Sequence, residues 1–198
     1  MEEITSIQEN TFRKFVDGTY VLDDETWRAF IKDWSYFEAK RKTILTTAGE
    51  VEKYVYFVLE GVQRAYYVGE NDKEATIVFT YAPSFSGVAD SALTGLPSKY
   101  YFETITSSQF LRIRIETLNK LMEEYRPIQN LIMRLASLSL YGVLARQAEI
   151  QSFSSEEKFR TLLHRSPHLL QLVPHKYIAS YLGIDATNFS KLLGSVKL

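Results

Sequence analysis

Residues 127–152, PIQNLIMRLASLSLYGVLARQAEIQS, constrain this chain more than any other stretch. Pro127 suits a first helical turn, where its missing N–H is no loss, and no further proline follows until Pro167. At roughly 1.5 Å per residue, about 26 helical residues make a rod of about 39 Å. Ile128, Leu131, Leu135, Leu138, Gly142 and Ala145 recur at steps of 3 and 4, the spacing of a coiled-coil seam. Two readings are open. The stripe can face the subunit's own core, as in most amphipathic helices. Alternatively, because Ile132, Met133, Leu140, Tyr141, Val143 and Leu144 make a second side apolar, one side packs at home and the other on a second copy. The second reading predicts a homodimer with Leu131, Leu135, Leu138, Gly142 and Ala145 at its interface.

The sequence changes texture on either side of this rod. Residues 1–35 read as helical, with Asp23-Asp24-Glu25 capping a helix that carries Trp27, Phe30, Ile31 and Trp34. From Tyr36 to Arg114, short segments rich in β-branched and aromatic residues alternate with turn residues such as Ala48-Gly49, Glu60-Gly61 and Gly69-Glu70-Asn71-Asp72. Strands are expected at 43–45, 54–59, 63–68, 75–81, 101–106 and 110–115, a spacing that suits a β-barrel or roll. A short helix is expected at 116–125. After the rod, Phe153-Ser154-Ser155 reads as a hinge, and Ser155 as the cap of a helix reaching about Arg165, with Lys158 breaking a strict capping box.

The last third carries a second local pattern, PHKYIASYLGIDATNFSKLL at 174–193. Ile178, Ala179 and Leu182 form the buried face of a first helix, Gly183 supplies a positive φ, and Asp185 caps a second helix with Phe189, Leu192 and Leu193 inward. Thr187, Asn188, Ser190 and Lys191 are left outward. Their donors and acceptors suit base edges in a major groove, while Lys176 and Lys191 suit phosphate. His175 is at best a further neighbour of phosphate.

A β-roll, a long helix and a small helical end, in that order, resemble the Crp/Fnr family of bacterial transcription regulators. In 40–67, KRKTILTTAGEVEKYVYFVLEGVQRAYY, the residues Ile44, Leu45, Gly49, Glu50, Tyr56, Phe57, Val58, Leu59, Gly61 and Arg64 stand where a cyclic-nucleotide-binding domain has an apolar pair, a Gly-Glu turn and an aromatic strand ending in glycine and a basic residue. The pattern at 174–193 is similar to the family's helix-turn-helix. The resemblance implies an α+β protein: an N-terminal double-stranded β-helix, or jelly-roll-like β-roll, with flanking helices at 1–125. A dimerisation helix at 126–152 and a helix-turn-helix DNA-binding domain at 153–198 complete it. It also implies double-stranded DNA, a second copy and RNA polymerase as partners, and no enzymatic activity.

The sequence departs from the family at both ends. Family members that bind cyclic AMP carry a cassette in which Gly-Glu opens a short helix, the Glu takes the ribose hydroxyl and a later Arg neutralises the cyclic phosphate. In the matching stretch, PSFSGVADSALTGLPSKYYFE at 83–103, Gly87 is kept, but Val88 replaces the Glu and Ser98 the Arg, with Lys99 beside it and Asp90 as a stand-in acceptor. A cavity lined by Phe85, Gly87, Val88, Asp90, Ser98, Lys99 and Tyr100 is therefore expected to persist without cyclic AMP affinity of the usual kind, open to another small effector. At the DNA end, Ala186, Thr187 and Lys191 take the places of the family's Arg-Glu and later Arg, which changes base preference. Only seven residues follow Lys191, so the usual two-stranded wing is missing. A sensor or protein-interaction module that has lost DNA binding is the alternative.

Charge and composition trim other classes. A formal charge of −1 gives no overall pull toward nucleic acid, so any contact must be a local basic patch. The absence of cysteine removes disulfides, cysteine-ligated clusters and thiol nucleophiles and fits a reducing compartment. An acidic, polar start and the lack of an apolar run of about 18 residues predict a cytoplasmic protein without a membrane partner. His164 and His168 have a two-ligand spacing, but Ser166-Pro167 breaks the helix between them, so no metal site is expected. The carboxylates at Glu2-Glu3, Asp23-Asp24-Glu25, Glu123-Glu124 and Glu156-Glu157 read as helix starts or solvated faces rather than acid/base pairs.

Overall fold

The computed structural model describes residues 4–195, which leaves the Glu2-Glu3 pair and the last three residues of the C-terminal stretch outside the described residues. Helices α1 (Ser6–Thr19) and α2 (Asp24–Ile31) open the chain. Thr5 and Gln8 close a reciprocal capping box on α1, and the Asp23 carboxylate accepts the Thr26 N–H at 2.8 Å to start α2. Eight strands follow: β1 (Ser35–Ala39), β2 (Ile44–Thr46), β3 (Tyr54–Glu60), β4 (Val62–Val68), β5 (Glu74–Tyr81), β6 (Ser84–Ser86), β7 (Tyr101–Thr104) and β8 (Ser108–Arg114). Helix α3 (Ala89–Thr94) sits between β6 and β7. Then come α4 (Ile115–Glu124), α5 (Arg126–Ser152), α6 (Ser155–Arg165), α7 (Leu169–Leu172), α8 (His175–Leu182) and α9 (Ala186–Ser195).

The strands form two antiparallel four-stranded sheets, ordered β1-β8-β3-β6 and β2-β7-β4-β5, so the roll is two facing sheets and not a closed barrel. All six expected strands are present within a few residues. Two more, β1 and β6, were not expected; β1 begins at Ser35, where a helix had been read, because α2 already stops at Ile31. The tight β3–β4 turn needs Gly61, at φ +92°, since an added Cβ would lie 2.5 Å from the Ser107 carbonyl oxygen.

Side-chain alternation gives each sheet an inner and an outer face. Inside, Tyr56, Val58, Ala65, Phe102 and Phe110 fill the space between the sheets. On the outer face of the first sheet, Phe57, Leu111 and Ile113 meet Phe12, Val16, Trp27, Phe30 and Trp34 from the N-terminal helices and Ile128, Leu131 and Ile132 from α5. On the outer face of the second, Val62, Phe79 and Ile105 join Phe159, Leu162, Ile178, Leu182 and Phe189 of the C-terminal helices. The molecule is thus layered, with helices on both outer faces of the roll.

Helix α5 settles part of the seam. Leu131 is fully buried and so serves the subunit's own core, while Leu135 is half-buried against the same cluster. Leu138 is 53% exposed, Gly142 and Ala145 lie open, and Met133, Leu140, Tyr141, Val143 and Leu144 extend the exposed apolar surface. By length and composition alone α5 suffices to cross a membrane, its most apolar 18-residue window having a mean hydropathy of 1.3, although its sequence holds no unbroken apolar run of that length. Its first turns are instead packed against the roll. The next helix is capped one residue earlier than expected: Ser154 accepts the Glu157 N–H, and Glu157 accepts the Ser154 N–H at 2.8 Å, completing a capping box.

Candidate functional site

The seven residues expected to line a ligand cavity stand in differing surroundings. Phe85 alternates to the outer face of its sheet, where its ring lies 5.7 Å from Phe57 and 5.8 Å from Phe12. Val88 is buried inside the roll, and Tyr100 packs beside it. Ser98 is 3% exposed and spent on structure: its hydroxyl accepts the Tyr100 N–H and donates to the Tyr100 carbonyl. Asp90 and Lys99 face solvent, and Gly87 adopts φ +118° beneath Tyr54. Tyr56, Phe102 and Phe110 pack together in the interior of the roll beside Val88. Burial drives the Tyr56 hydroxyl well above its ordinary pKa. A groove of about 640 Å³ lies elsewhere, between Arg41 and the 105–107 turn on one side and residues 170–175 on the other.

A carboxylate missed in the sequence occupies the start of the cassette. Glu52 is 2% exposed. Its Oε2 accepts the Val88 N–H at 3.1 Å and the Thr46 hydroxyl at 2.5 Å, and its Oε1 accepts the N–H groups of Lys53 at 3.0 Å and Tyr54 at 3.2 Å. Among the described residues no cation pairs with it within 4 Å, so four hydrogen bonds stabilise it where burial alone would be costly. Its own N–H donates to Ser91 Oγ at 3.0 Å, and Ser91 donates to the Leu96 carbonyl at 2.6 Å. Nothing in the sequence marks Glu52 apart from Glu50, because its principal partner lies 36 positions away.

The inner face also carries Arg112, opposite Tyr56 in the β3–β8 register. Its guanidinium lies 3.9 Å from the Phe37 ring centroid and 4.5 Å from that of Tyr54, a cation between two π faces.

The C-terminal helices are held on the second sheet by a buried charge. Arg64, at 1% exposure, bonds Glu103 through Nε and Glu74 through an η nitrogen, each at 2.6 Å, and Thr76 Oγ1 at 3.3 Å. Its guanidinium lies between the rings of Tyr66, at 4.0 Å, and Tyr177 of α8, at 3.5 Å. Burial, with Glu103 nearby, pushes Tyr66 up to about 12. The sequence offered Arg64 only as a motif position; its partners were not legible. From the other side, Arg146 of α5 bonds Glu149 at 2.8 Å and the Tyr181 carbonyl, and stacks 4.2 Å from the Tyr181 ring.

The helix pair α8 and α9 takes the expected form. Gly183 has φ 65°, Ile178, Ala179, Leu182, Phe189 and Leu192 are buried, and Asp185 accepts the Asn188 N–H at 2.9 Å. Lys176, Thr187, Ser190 and Lys191 are exposed. Asn188 differs from expectation: it is half-buried, and its side-chain amide donates to Ser155 Oγ at 3.1 Å, tying α9 to α6. His164 and His168 fall on separate elements, with His168 stacked edge-on to Tyr81 at 4.4 Å. Among the described residues no group of three His, Cys, Asp or Glu is gathered as for a metal.

The sequence profile of the cyclic nucleotide-binding domain matches residues 36–125, the part of the chain that forms the β-roll. Most of the chain is similar in structure to solved regulators, among them one of the Crp/Fnr family. FixK2 from Bradyrhizobium japonicum superposes with TM-score 0.73 at 16% identity, over 81% of this chain and 83% of that one. The c-di-GMP-responsive global regulator CLP of Xanthomonas campestris gives TM-score 0.68 at 15% identity, over 87% and 90%. A Eubacterium rectale protein described as a Crp/Fnr-family transcriptional regulator gives 0.71 at 16%, over 93% and 86%. No curated protein sequence matches the chain.

Proposed function

We propose that this chain is a dimeric, DNA-binding transcription regulator of the Crp/Fnr type, with a sensor roll at 1–125, a dimer helix at 126–152 and a DNA-binding end at 153–198. The observation that carries the reading is the α8–α9 pair, which presents Lys176, Thr187, Ser190 and Lys191 to solvent while its opposite face is fixed to the sensor roll through Tyr177 and Arg64. The mechanism is a population shift. A signal that favours one placement of the C-terminal helices on the roll moves both α9 helices of a dimer toward or away from the roughly 34 Å spacing of adjacent major grooves. The hinge at Phe153–Ser154 and the exposed half of α5 around Leu138 and Gly142 supply the moving joint and the dimer contact. The polymerase is the natural reader of such a shift.

The test is fluorescence anisotropy of the whole protein with random-sequence duplex DNA across a salt series. Binding that weakens steeply with salt is expected, with a slope set by the few phosphate contacts of Lys176 and Lys191. Absence of binding at low salt with the dimer intact would shift the assignment to a sensor or interaction module, a reading favoured by the formal charge of −1.

A further inference from the structure

We infer that Glu52 is a built-in ligand of the sensor roll: its carboxylate clips the cassette shut, so that this segment is ordered with no nucleotide bound and cyclic nucleotides are not the effector. The donor set around Glu52 is one that recognises an oxyanion, made of the Lys53, Tyr54 and Val88 N–H groups and the Thr46 hydroxyl from three separate segments. In this chain an internal carboxylate fills that set. The clip continues along the segment. Ser91 ties the Glu52 backbone to the Leu96 carbonyl, and Ser98 exchanges backbone hydrogen bonds of 2.8 Å with Gly49 and Glu50. Each end of the 88–98 segment is therefore pinned to the 49–54 turn.

Three further observations agree. Val88, where the family's acidic residue would stand, is 3% exposed and turned into the aromatic interior. Ser98, where an arginine would stand, has its hydroxyl committed to the Tyr100 backbone. The space between the sheets is taken by Tyr56, Phe102 and Phe110, each at most 2% exposed. A ligand seeking the amides of this segment would have to expel a carboxylate that is already fully hydrogen-bonded. Regulatory input then enters outside the cassette.

The inference rests on reading residues 87–98 as the cassette and is independent of DNA binding. Its readout is amide hydrogen exchange of the full chain across 88–96, with far-UV circular dichroism to report folding. The wild-type segment is expected to be protected without nucleotide and unchanged by millimolar cyclic AMP. Glu52→Ala is expected to speed exchange there by about tenfold or more. The truncation removes a CH₂–COO⁻ group, which acetate resembles, so acetate is expected to restore protection where the same concentration of chloride does not. Slower exchange at 88–96 on adding cyclic AMP to the wild type would overturn the inference. So would wild-type exchange in Glu52→Ala, or rescue by chloride equal to that by acetate. If Glu52→Ala does not fold, Glu52→Gln decides: it keeps the bulk but turns an amide NH₂ toward one pair of donors. Faster exchange confined to 88–96 supports the clip, and wild-type exchange overturns it. Failure here leaves the DNA-binding proposal standing, and a protein that ignores DNA leaves this inference standing.

Discussion

The Arg64 guanidinium lies 3.5 Å from the centroid of the Tyr177 ring, joining a buried strand of the β-roll to the first helix of the α8–α9 pair. Both carboxylate partners of Arg64, Glu103 and Glu74, belong to the roll, so the arginine is held in place by one unit and read by the other. This stack is the shortest cation–ring approach between the two units and the natural place to test how they communicate.

Replacing Arg64 with Met leaves Glu103, itself only 9% exposed, without its cation. A loss of about 3–5 kcal/mol in urea unfolding is expected, since removing one member of a buried pair strands the other. Tyr177→Ala keeps the pair and removes only the ring. It is expected to cost about 2 kcal/mol for a desolvated stack and to speed proteolytic cleavage near Phe153 and Ser154, which digestion followed by mass spectrometry would show.

Helix α5 separates into a buried half and an exposed half. Leu131→Ala is expected to lower stability by about 2–5 kcal/mol with no change in oligomeric state, because Leu131 is fully buried in its own subunit. Leu138→Arg is expected to leave monomer stability nearly unaltered and to shift sedimentation toward the monomer. A Leu138→Arg protein that still sediments as a dimer would place the interface elsewhere.

Two neighbours on α9 should part company. Thr187→Ala is expected to alter sequence preference in DNA-binding assays without affecting folding. Asn188→Ala is expected to cost about 1 kcal/mol of stability through loss of its bond to Ser155, with little effect on sequence preference.

The Ser154–Glu157 box gives a pH test. Hydrogen bonding from the Ser154 N–H holds the Glu157 carboxyl below its ordinary 4.5. A depressed folded-state pKa means stability present above the unfolded value and lost as pH falls through the folded one. The stability advantage of wild type over Glu157→Gln should therefore be constant from about pH 7 down to the ordinary carboxylate range, then vanish on further acidification, as read from urea midpoints.

Local chemistry made much of this fold readable. Turn residues at Gly49, Gly61 and Gly69, with β-branched and aromatic runs between them, located six strands, and Gly183 with Asp185 located the α8–α9 turn. The reading failed where the deciding partner was distant. Ser35–Ala39 becomes a strand only because β8 pairs with it 77 positions later, at Ser35 and Arg112. Leu131 and Leu138 share one sequence stripe, yet the roll covers only the first. Glu52 resembled Glu50, and Arg64 was legible only as a motif position, until the fold brought Val88 to one and Glu103 to the other. Charged groups satisfied across such gaps have no periodicity to betray them.

Strand β5 lies at the edge of its sheet, bonded only to β4. On its open side the Ser180 hydroxyl of α8 accepts the Thr76 N–H at 3.0 Å and donates to the Glu74 carbonyl at 3.3 Å, filling the place of a neighbouring strand. Lifting α8 away uncovers a bare strand edge able to recruit another chain. The docked helix thus serves as a guard against aggregation, and mutants that free the C-terminal helices should be recognised first by their tendency to precipitate.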